Sequence, residues 1–544
     1  PAGAGRVTLG RARPACPDGA DAEPRARRDV RRTMDAALKR LPRPAISDLL
    51  AGLNPRVFAA ASCAVAGFVA WGVIDSASAA AMFDALRGGV ARRFGWFYML
   101  VVAGCLAFSL SLLATPARRI RLGGAAARPE FGRGGWFAML FAAGMGVGLV
   151  YFGAGEPLAH FLARPTGAET DAAAAIEAIR LSFFHWGLSA WGVYVVFALA
   201  IAHAHFNRGL PLAPRAMLEP LIGDRHRGPI GDAADALCLV GAVLGVATSL
   251  GLGAMQISAS LSGLTGAPDT PTLRIGIVAL VSALAALSAA RGMRGGVRRF
   301  SQINIALAGA LLLFVLAVGP LGRIVELFLA GLARYAFRAP IDSLALGAGR
   351  DPEGWRATWT LFFWGWWIAW APFVAIFVAR ISKGRTIGEV VTGALLGPTL
   401  VVCVWIAAFG GTAIGIERGR DERLIEAARD NAAASLEATL SALPYGQTGS
   451  ALAIAVVAIF FVTSADSGAL VEDMTASGGN PEPPRARRVF WACAEGAVAA
   501  VLLLMGGLEA IRSAAITLGL PVAVLLVAAA VALNRALGAE IARG

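Results

Sequence analysis

Only two lysines, Lys39 and Lys383, stand among 49 basic residues, and charged residues of every kind make up just 16% of the 544. An ordinary soluble domain carries about 25%, which argues against a soluble enzyme of several domains. Disorder over most of the length is excluded as well, because 57% of the residues are hydrophobic. Histidine is scarce, with five residues, and the six cysteines (16, 63, 105, 238, 403 and 493) are scattered without a C-x-x-C pair. That pattern speaks against a zinc site or a disulfide framework and reads as buried free thiols. The basic N-terminal stretch is not followed by a short apolar run, so no secretory signal peptide is read there. The net charge of +13 does not point to nucleic acid, since the arginines flank apolar runs and form no aromatic-interleaved patch. A positive balance is what the loops of a membrane protein collect.

What the chain has in quantity is apolar length. Twelve segments long enough to span a bilayer lie near 56–75, 95–115, 135–162, 178–205, 233–261, 272–290, 300–320, 355–379, 388–415, 449–470, 488–507 and 512–534. The expected fold class is an all-α polytopic membrane protein, and an even number of spans puts both termini on one side. Basic clusters mark alternate loops: Arg118, Arg119 and Arg121; Arg291, Arg294, Arg298 and Arg299; Arg380, Lys383 and Arg385; Arg485, Arg487 and Arg488. The positive-inside rule makes that side cytoplasmic. Residues 1–50 read as a basic cytoplasmic tail without packed structure, and Met34 offers a start that would place 1–33 upstream of it. Residues 51–536 form the membrane domain and 537–544 a short cytoplasmic end. Segment 322–338 reads as an amphipathic helix on the outer membrane face, or one packed on the bundle without lipid contact.

Two spans differ from the rest. The third holds Gly144, Gly146 and Gly148 at alternate positions in mid-membrane, which serves close helix packing or local unwinding that turns backbone carbonyls toward a cavity. The eighth carries six of the 13 tryptophans in residues 355–370. Trp355 and Trp359 suit the interfacial belt, but Trp364, Trp366, Trp367 and Trp370 run deeper, and Gly365 and Pro372 bracket a place where this helix is expected to break. Interrupted helices five spans apart are the signature of a five-plus-five inverted repeat around a midplane site. In the fourth span, Trp191 and Tyr194 lie about 140° and 80° around an ideal helix from Trp186, so all three share one broad face. Aromatic faces converging from two helices make a cage for a quaternary ammonium group. In the tenth span, Thr463 and Ser464 either bond back to their own turn or, with carbonyls near Ala142 and Met145, supply oxygens to a sodium ion.

These residues resemble the betaine/carnitine/choline transporter family. The likeness is carried by FGWFYML (94–100), RIRLGG (119–124), PEFGRGGWFAMLFAAGMGVGLVYFGAGEPLAHF (129–161), FFHWGLSAWGVY (183–194), ATSLGLGAMQI (247–257), WTLFFWGWWIAWAPFVAIFVARISKGRTIGE (359–389), TSADSGAL (463–470) and SGGNPEPP (477–484). The resemblance implies a LeuT-type repeat in the third to twelfth spans, preceded by two extra helices, and a homotrimer in the bacterial inner membrane. It implies a substrate box of Trp186, Trp191, Tyr194 and Trp367, with Met145 beside it and Trp366 and Trp370 on the outer path. It also implies a sodium ion near Ala142, Met145, Phe460, Thr463 and Ser464, with Thr248 and Ser249 as a conjecture for a second.

Proton-coupled choline members carry Asp where this chain has Gly148, so the kept glycines and hydroxyls favour sodium coupling. Three departures stand out. Only about ten residues follow the last span, against the long basic tail of osmotically activated members. Ala369 replaces a common Ser, and Ser189-Ala190 a common His-Ala or His-Pro. The expected activity is sodium-driven uptake of glycine betaine for osmoprotection, without an organic cofactor. The alternatives are a choline, carnitine or dimethylsulfoniopropionate carrier with proton coupling or exchange, and, in a different class, a channel or membrane sensor. An enzyme is not expected, because no His/Cys/carboxylate constellation is visible within the spans and Glu156, Asp466 and Glu495 read as single structural carboxylates.

Overall fold

The computed structural model describes residues 52–543 apart from Met145 and the stretches 292–293, 346–353 and 418–431. The tail of residues 1–50 lies outside the described residues. Among the described residues sixteen main helices follow in chain order: α1 (Pro55–Ile74), α2 (Ser76–Ala114), α3 (Arg133–Gly144), α4 (Val147–Ala163), α5 (Asp171–Trp186), α6 (Leu188–Phe206), α7 (Pro229–Thr265), α8 (Pro271–Arg291), α9 (Arg294–Val318), α10 (Leu321–Ser343), α11 (Thr360–Ile381), α12 (Ile387–Glu417), α13 (Ala432–Ser441), α14 (Gly446–Ala476), α15 (Arg485–Leu504) and α16 (Leu508–Ile541). Among the described residues the sole strand-like feature is one antiparallel bridge, Arg121 to Thr386.

Nine helical segments among the described residues are long and apolar enough to cross a membrane, and ten if α9 and α10, bent by 111° at their junction, count as one. The two expected spans outside that set have plain physical reasons. Segment 135–162 is divided into α3 and α4, and segment 488–507 falls largely on α15, which opens with Arg485, Arg487 and Arg488 and carries Glu495, lowering its apolarity. The exterior is oily: Leu280, Leu313, Leu396 and Val524 are each more than half exposed, whereas Glu156, His185, Glu472 and Glu495 are sealed inside. That reversal of the soluble pattern is what a lipid solvent imposes.

At the centre, α7 packs along α14 and α15, while α11 lies between α6 and α16. Starts are set locally. Asn54 caps α1, its side-chain oxygen accepting from Arg56 and Val57 amides at 3.1 and 3.4 Å, and Pro55 at the first turn costs no hydrogen bond. Thr170 does the same for α5, accepting from the Ala173 amide at 3.2 Å. Helix α10 buries Ile324, Leu327, Gly331 and Tyr335 against α5 and α12 and exposes Val325, Leu329, Phe337 and Ile341. It is thus packed on the bundle and apolar on its outer face too.

The breaks fall differently from expectation. The third expected span is interrupted, with α3 ending at Gly144 and α4 starting at Val147. The eighth does not break at Gly365 or Pro372: α11 runs unbroken from Thr360 to Ile381 through both, and the helix is interrupted earlier, at Trp359, which separates the single turn Trp355–Thr358 from α11. Gly365 serves contact. A Cβ there would stand 2.8 Å from the Ala515 carbonyl oxygen and 2.9 Å from the Ile516 Cα of α16, so hydrogen is the only side chain that fits. Another interruption lies in the fourth span, at Gly187, which ends α5 and starts α6 with φ −89° and ψ −134°. A Cβ at Gly187 would sit 2.6 Å from the Phe183 carbonyl oxygen.

Candidate substrate site

The Gly187 break decides how the aromatic residues meet. Trp186 is the last residue of α5, and Trp191 and Tyr194 lie in the first two turns of α6. Gly187 thus interrupts the ideal helix over which those angles were counted, and residues from both sides of it meet in one place. Helix α11 supplies the opposite wall. Ring centroids run from Trp186 to Trp367 at 4.9 Å, from Trp367 to Tyr194 at 6.4 Å and from Tyr194 to Trp191 at 5.5 Å, each pair edge to face. All four are buried. Edge-to-face packing sets the edge of one ring against the face of its neighbour, and aromatic faces gathered in this way are the kind of surface that attracts a cation.

Along α11 the rings continue as a stack. Trp366 lies 4.7 Å from Trp367 and 5.9 Å from Trp370, and Trp370 lies 6.0 Å from Phe373, these last two pairs almost parallel. Trp364 turns away, its indole N–H reaching the Met99 sulfur of α2 at 3.2 Å. Gly148 at the start of α4 faces the site, because a Cβ there would stand 2.5 Å from the Trp366 ring and 3.1 Å from the Trp186 ring. The Trp191 and Trp366 indole N–H groups, that of Trp370 and the Tyr194 hydroxyl are buried without a hydrogen-bond partner among the described residues. Buried orphan donors of this kind are expensive unless a ligand or water satisfies them.

The two other indoles of the box are held by a network that the sequence reading missed. Glu156 of α4 accepts from the Trp186 indole N–H at 2.6 Å and from His185 Nδ1 at 2.7 Å, with His160 Nε2 at 3.3 Å. Trp367 donates to the His185 carbonyl at 2.9 Å. Trp355 donates to His160 Nδ1 at 3.3 Å, and His185 Nε2 meets the Thr360 hydroxyl at 3.0 Å. Each imidazole thus has both ring nitrogens engaged, which fixes its orientation. The expectation that no His/carboxylate constellation exists is therefore corrected, and Glu156 is not a lone carboxylate.

These three side chains have metal-ligand types, with ligand atoms within 4.8 Å of one another. Their hydrogen bonds are already spent on Trp186, Trp355 and Thr360, however, so the geometry serves to hold indoles. A signal was available: Glu156 and His160 are four apart on one helix face. Trp355 and Trp359 are half-buried against His160, at 5.2 and 4.8 Å between centroids.

The expected sodium ligands lie on two elements. Met145 and the side chain of Ala142 lie outside the described residues, although Ala142 itself falls in the last turn of α3 beside Gly144. On α14, Phe460 is buried and Thr463 and Ser464 half-buried. A Cβ at Gly146 would stand 3.6 Å from the Phe460 ring and 3.8 Å from the Ser464 hydroxyl oxygen, so the α3/α4 break faces this turn of α14. The Thr463 hydroxyl donates to the Ile459 and Phe460 carbonyls at 2.9 and 3.1 Å. It bonds back to its own turn, which leaves its lone pairs available as an acceptor. Thr248 and Ser249 are buried on α7, and Ala369 sits with its carbonyl 2.9 Å from the place a Cβ of Gly241 would take.

Long apolar helices, with interruptions after Gly144 and at Gly187, around a buried aromatic site fit a membrane transporter. Comparison with known proteins makes this specific. The profile described as "BCCT, betaine/carnitine/choline family transporter" matches residues 56–542, and the chain belongs to that family. It is 42% identical over 506 residues to an uncharacterised transporter of Mycobacterium tuberculosis, covering 92% of this chain and 85% of the relative. It is 39% identical over 478 residues to the glycine betaine transporter of Bacillus subtilis, covering 87% and 93%. With a glycine betaine/proline/choline transporter of Vibrio parahaemolyticus the identity is 38% over 507 residues, covering 89% and 90%.

Proposed function

We propose that this transporter takes up glycine betaine by sodium symport, through alternating access around the box of Trp186, Trp191, Tyr194 and Trp367. The observation that carries the reading is the pairing of π faces with orphan donors in one buried place. A trimethylammonium head is held by the faces, and a carboxylate at the other end of the ligand would satisfy the Trp191 N–H and the Tyr194 O–H. Choline has no carboxylate for those donors, which favours the zwitterion. Relatives named as glycine betaine transporters support the same substrate.

Sodium is the coupling ion on this reading, held by the Thr463 and Ser464 hydroxyls and by carbonyls of the α3/α4 break, including Ala142 and Met145. Hard cations take oxygen ligands, and broken helices supply them. Gly148 supports it further, because an acidic side chain at 148 would displace Trp366. Twelve spans, a five-plus-five repeat and a homotrimer in a bacterial inner membrane complete the proposal.

The test is uptake of labelled glycine betaine into proteoliposomes under an inward sodium gradient, with a matched potassium gradient as control and choline as competitor. Accumulation is expected with sodium only. Trp367→Leu is expected to raise the half-saturating betaine concentration about tenfold or more, since a desolvated cation–π contact contributes about 2 kcal/mol. Equal uptake under potassium would overturn the coupling assignment, and preference for choline would overturn the substrate.

A further inference from the structure

Away from the box, at the C-terminal end of α14, two more carboxyls meet inside the protein. Glu472 of α14 and Glu495 of α15 are both fully buried, and the two carboxyl groups stand within hydrogen-bonding range of each other. No donor among the described residues reaches any of their four oxygens. The nearby arginines are committed elsewhere: Arg487 pairs with Asp473 at 2.9 Å and Arg488 with Asp466 at 2.8 Å. Gly468, one turn before Glu472, makes room for the pair, because a Cβ there would fall 2.3 Å from Glu495 Oε1 and 2.8 Å from Val246 Cγ2 of α7.

We infer that Glu472 and Glu495 form a proton-binding site, holding one shared proton that fastens α14 to α15. Two carboxylates offer each other only lone pairs, and neither has a counter-charge among the described residues, so the contact requires a proton between them. A metal ion fits poorly, since sodium or a divalent ion wants about six oxygens and the surroundings of the pair include Val246 and a glycine. The other ionisable groups acting on the pair are Asp466 and Asp473 of α14 and Cys493 of α15. From α8, Ser282 packs on Gly496, next to Glu495. The site lies two turns beyond Ser464 on the same helix, and it does not depend on the identity of the substrate.

The sign of the pH effect follows. Unfolding opens the buried contact and releases the shared proton to water. Stability from this pair is therefore complete at acid pH and is lost as pH rises. Glu495→Gln replaces the proton with an amide N–H that donates to Glu472 and removes the dependence. The experiment is thermal melting of the purified full-length protein in detergent, wild type against E495Q, between about pH 5 and about pH 9.

E495Q is expected to melt several degrees above wild type at the alkaline end, with the gap closing toward the acid end. A gap that does not change with pH overturns the proposal. So does alkaline wild type that is stabilised by sodium chloride over potassium chloride in a way E495Q loses, because a metal ion would then hold the pair. Should E495Q fail to fold, infrared spectra of wild type at neutral pH decide. A buried protonated-carboxyl band that shifts in heavy water is expected, and its absence contradicts the shared proton.

Discussion

The fourth and eighth spans both deliver tryptophan to one site, and both carry a glycine beside it, yet the helix breaks at one glycine and runs through the other. At Gly187 the chain leaves the helix, and the amide freed at Leu188 donates to the Tyr335 hydroxyl of α10 at 3.0 Å. At Gly365 the helix continues, and the missing side chain lets α16 come within contact of the α11 backbone. A glycine in a membrane helix is thus a joint or a seam, and the partner helix decides which. The joint has an external acceptor ready for its loose donor, whereas the seam is closed by backbone atoms that have nowhere to go. In the transport reading, the jointed side can change shape around a rigid tryptophan ladder.

The largest effect is expected at the seam. Gly365→Ala forces a methyl group into 2.8 Å of backbone, and overpacking of this kind costs about 1–3 kcal/mol. Its melting temperature should fall by several degrees in detergent. A variant with unchanged melting but abolished uptake would make Gly365 a hinge and erase the contrast.

A smaller effect is expected at the joint. Tyr335→Phe keeps the ring packed on Phe183 at 6.4 Å and removes only the acceptor for the Leu188 amide, a change of about 1 kcal/mol. Because Trp186 precedes that break, the loss should appear as a roughly fivefold rise in the half-saturating betaine concentration, with melting nearly unchanged. A drop in melting as large as that of Gly365→Ala would show that Tyr335 is only packing.

Much of this was legible in the sequence for a simple reason: apolar length and tryptophan in mid-span are properties of single segments. The apolar helical segments, the shared neighbourhood of Trp186, Trp191 and Tyr194, and an interruption in the Gly144–Gly148 run came from such local signals, whereas Trp367 was placed with them by the family resemblance. What was not legible depends on a second helix. Gly365 and Pro372 suggested a break, but α16 turns the first into a contact. Gly187 gave no warning, as one glycine in an apolar helix is unremarkable without Tyr335 opposite it. Glu156 and His185 are 29 positions apart, and nothing short of the fold brings them to one pair of indoles. Glu472 and Glu495 are separated in the same way by the turn between α14 and α15.

The central claim is that buried aromatic faces recognise a positive charge, and one ligand pair isolates it. Glycine betaine and 3,3-dimethylbutyrate have nearly the same shape and the same carboxylate, but carbon replaces the cationic nitrogen in the second. Binding of each to the purified protein in sodium buffer would be followed by tryptophan fluorescence. About 2 kcal/mol of cation–π attraction predicts betaine binding at least about 30-fold tighter. Equal affinity for the two would contradict the account, because the site would then be reading shape and carboxylate alone.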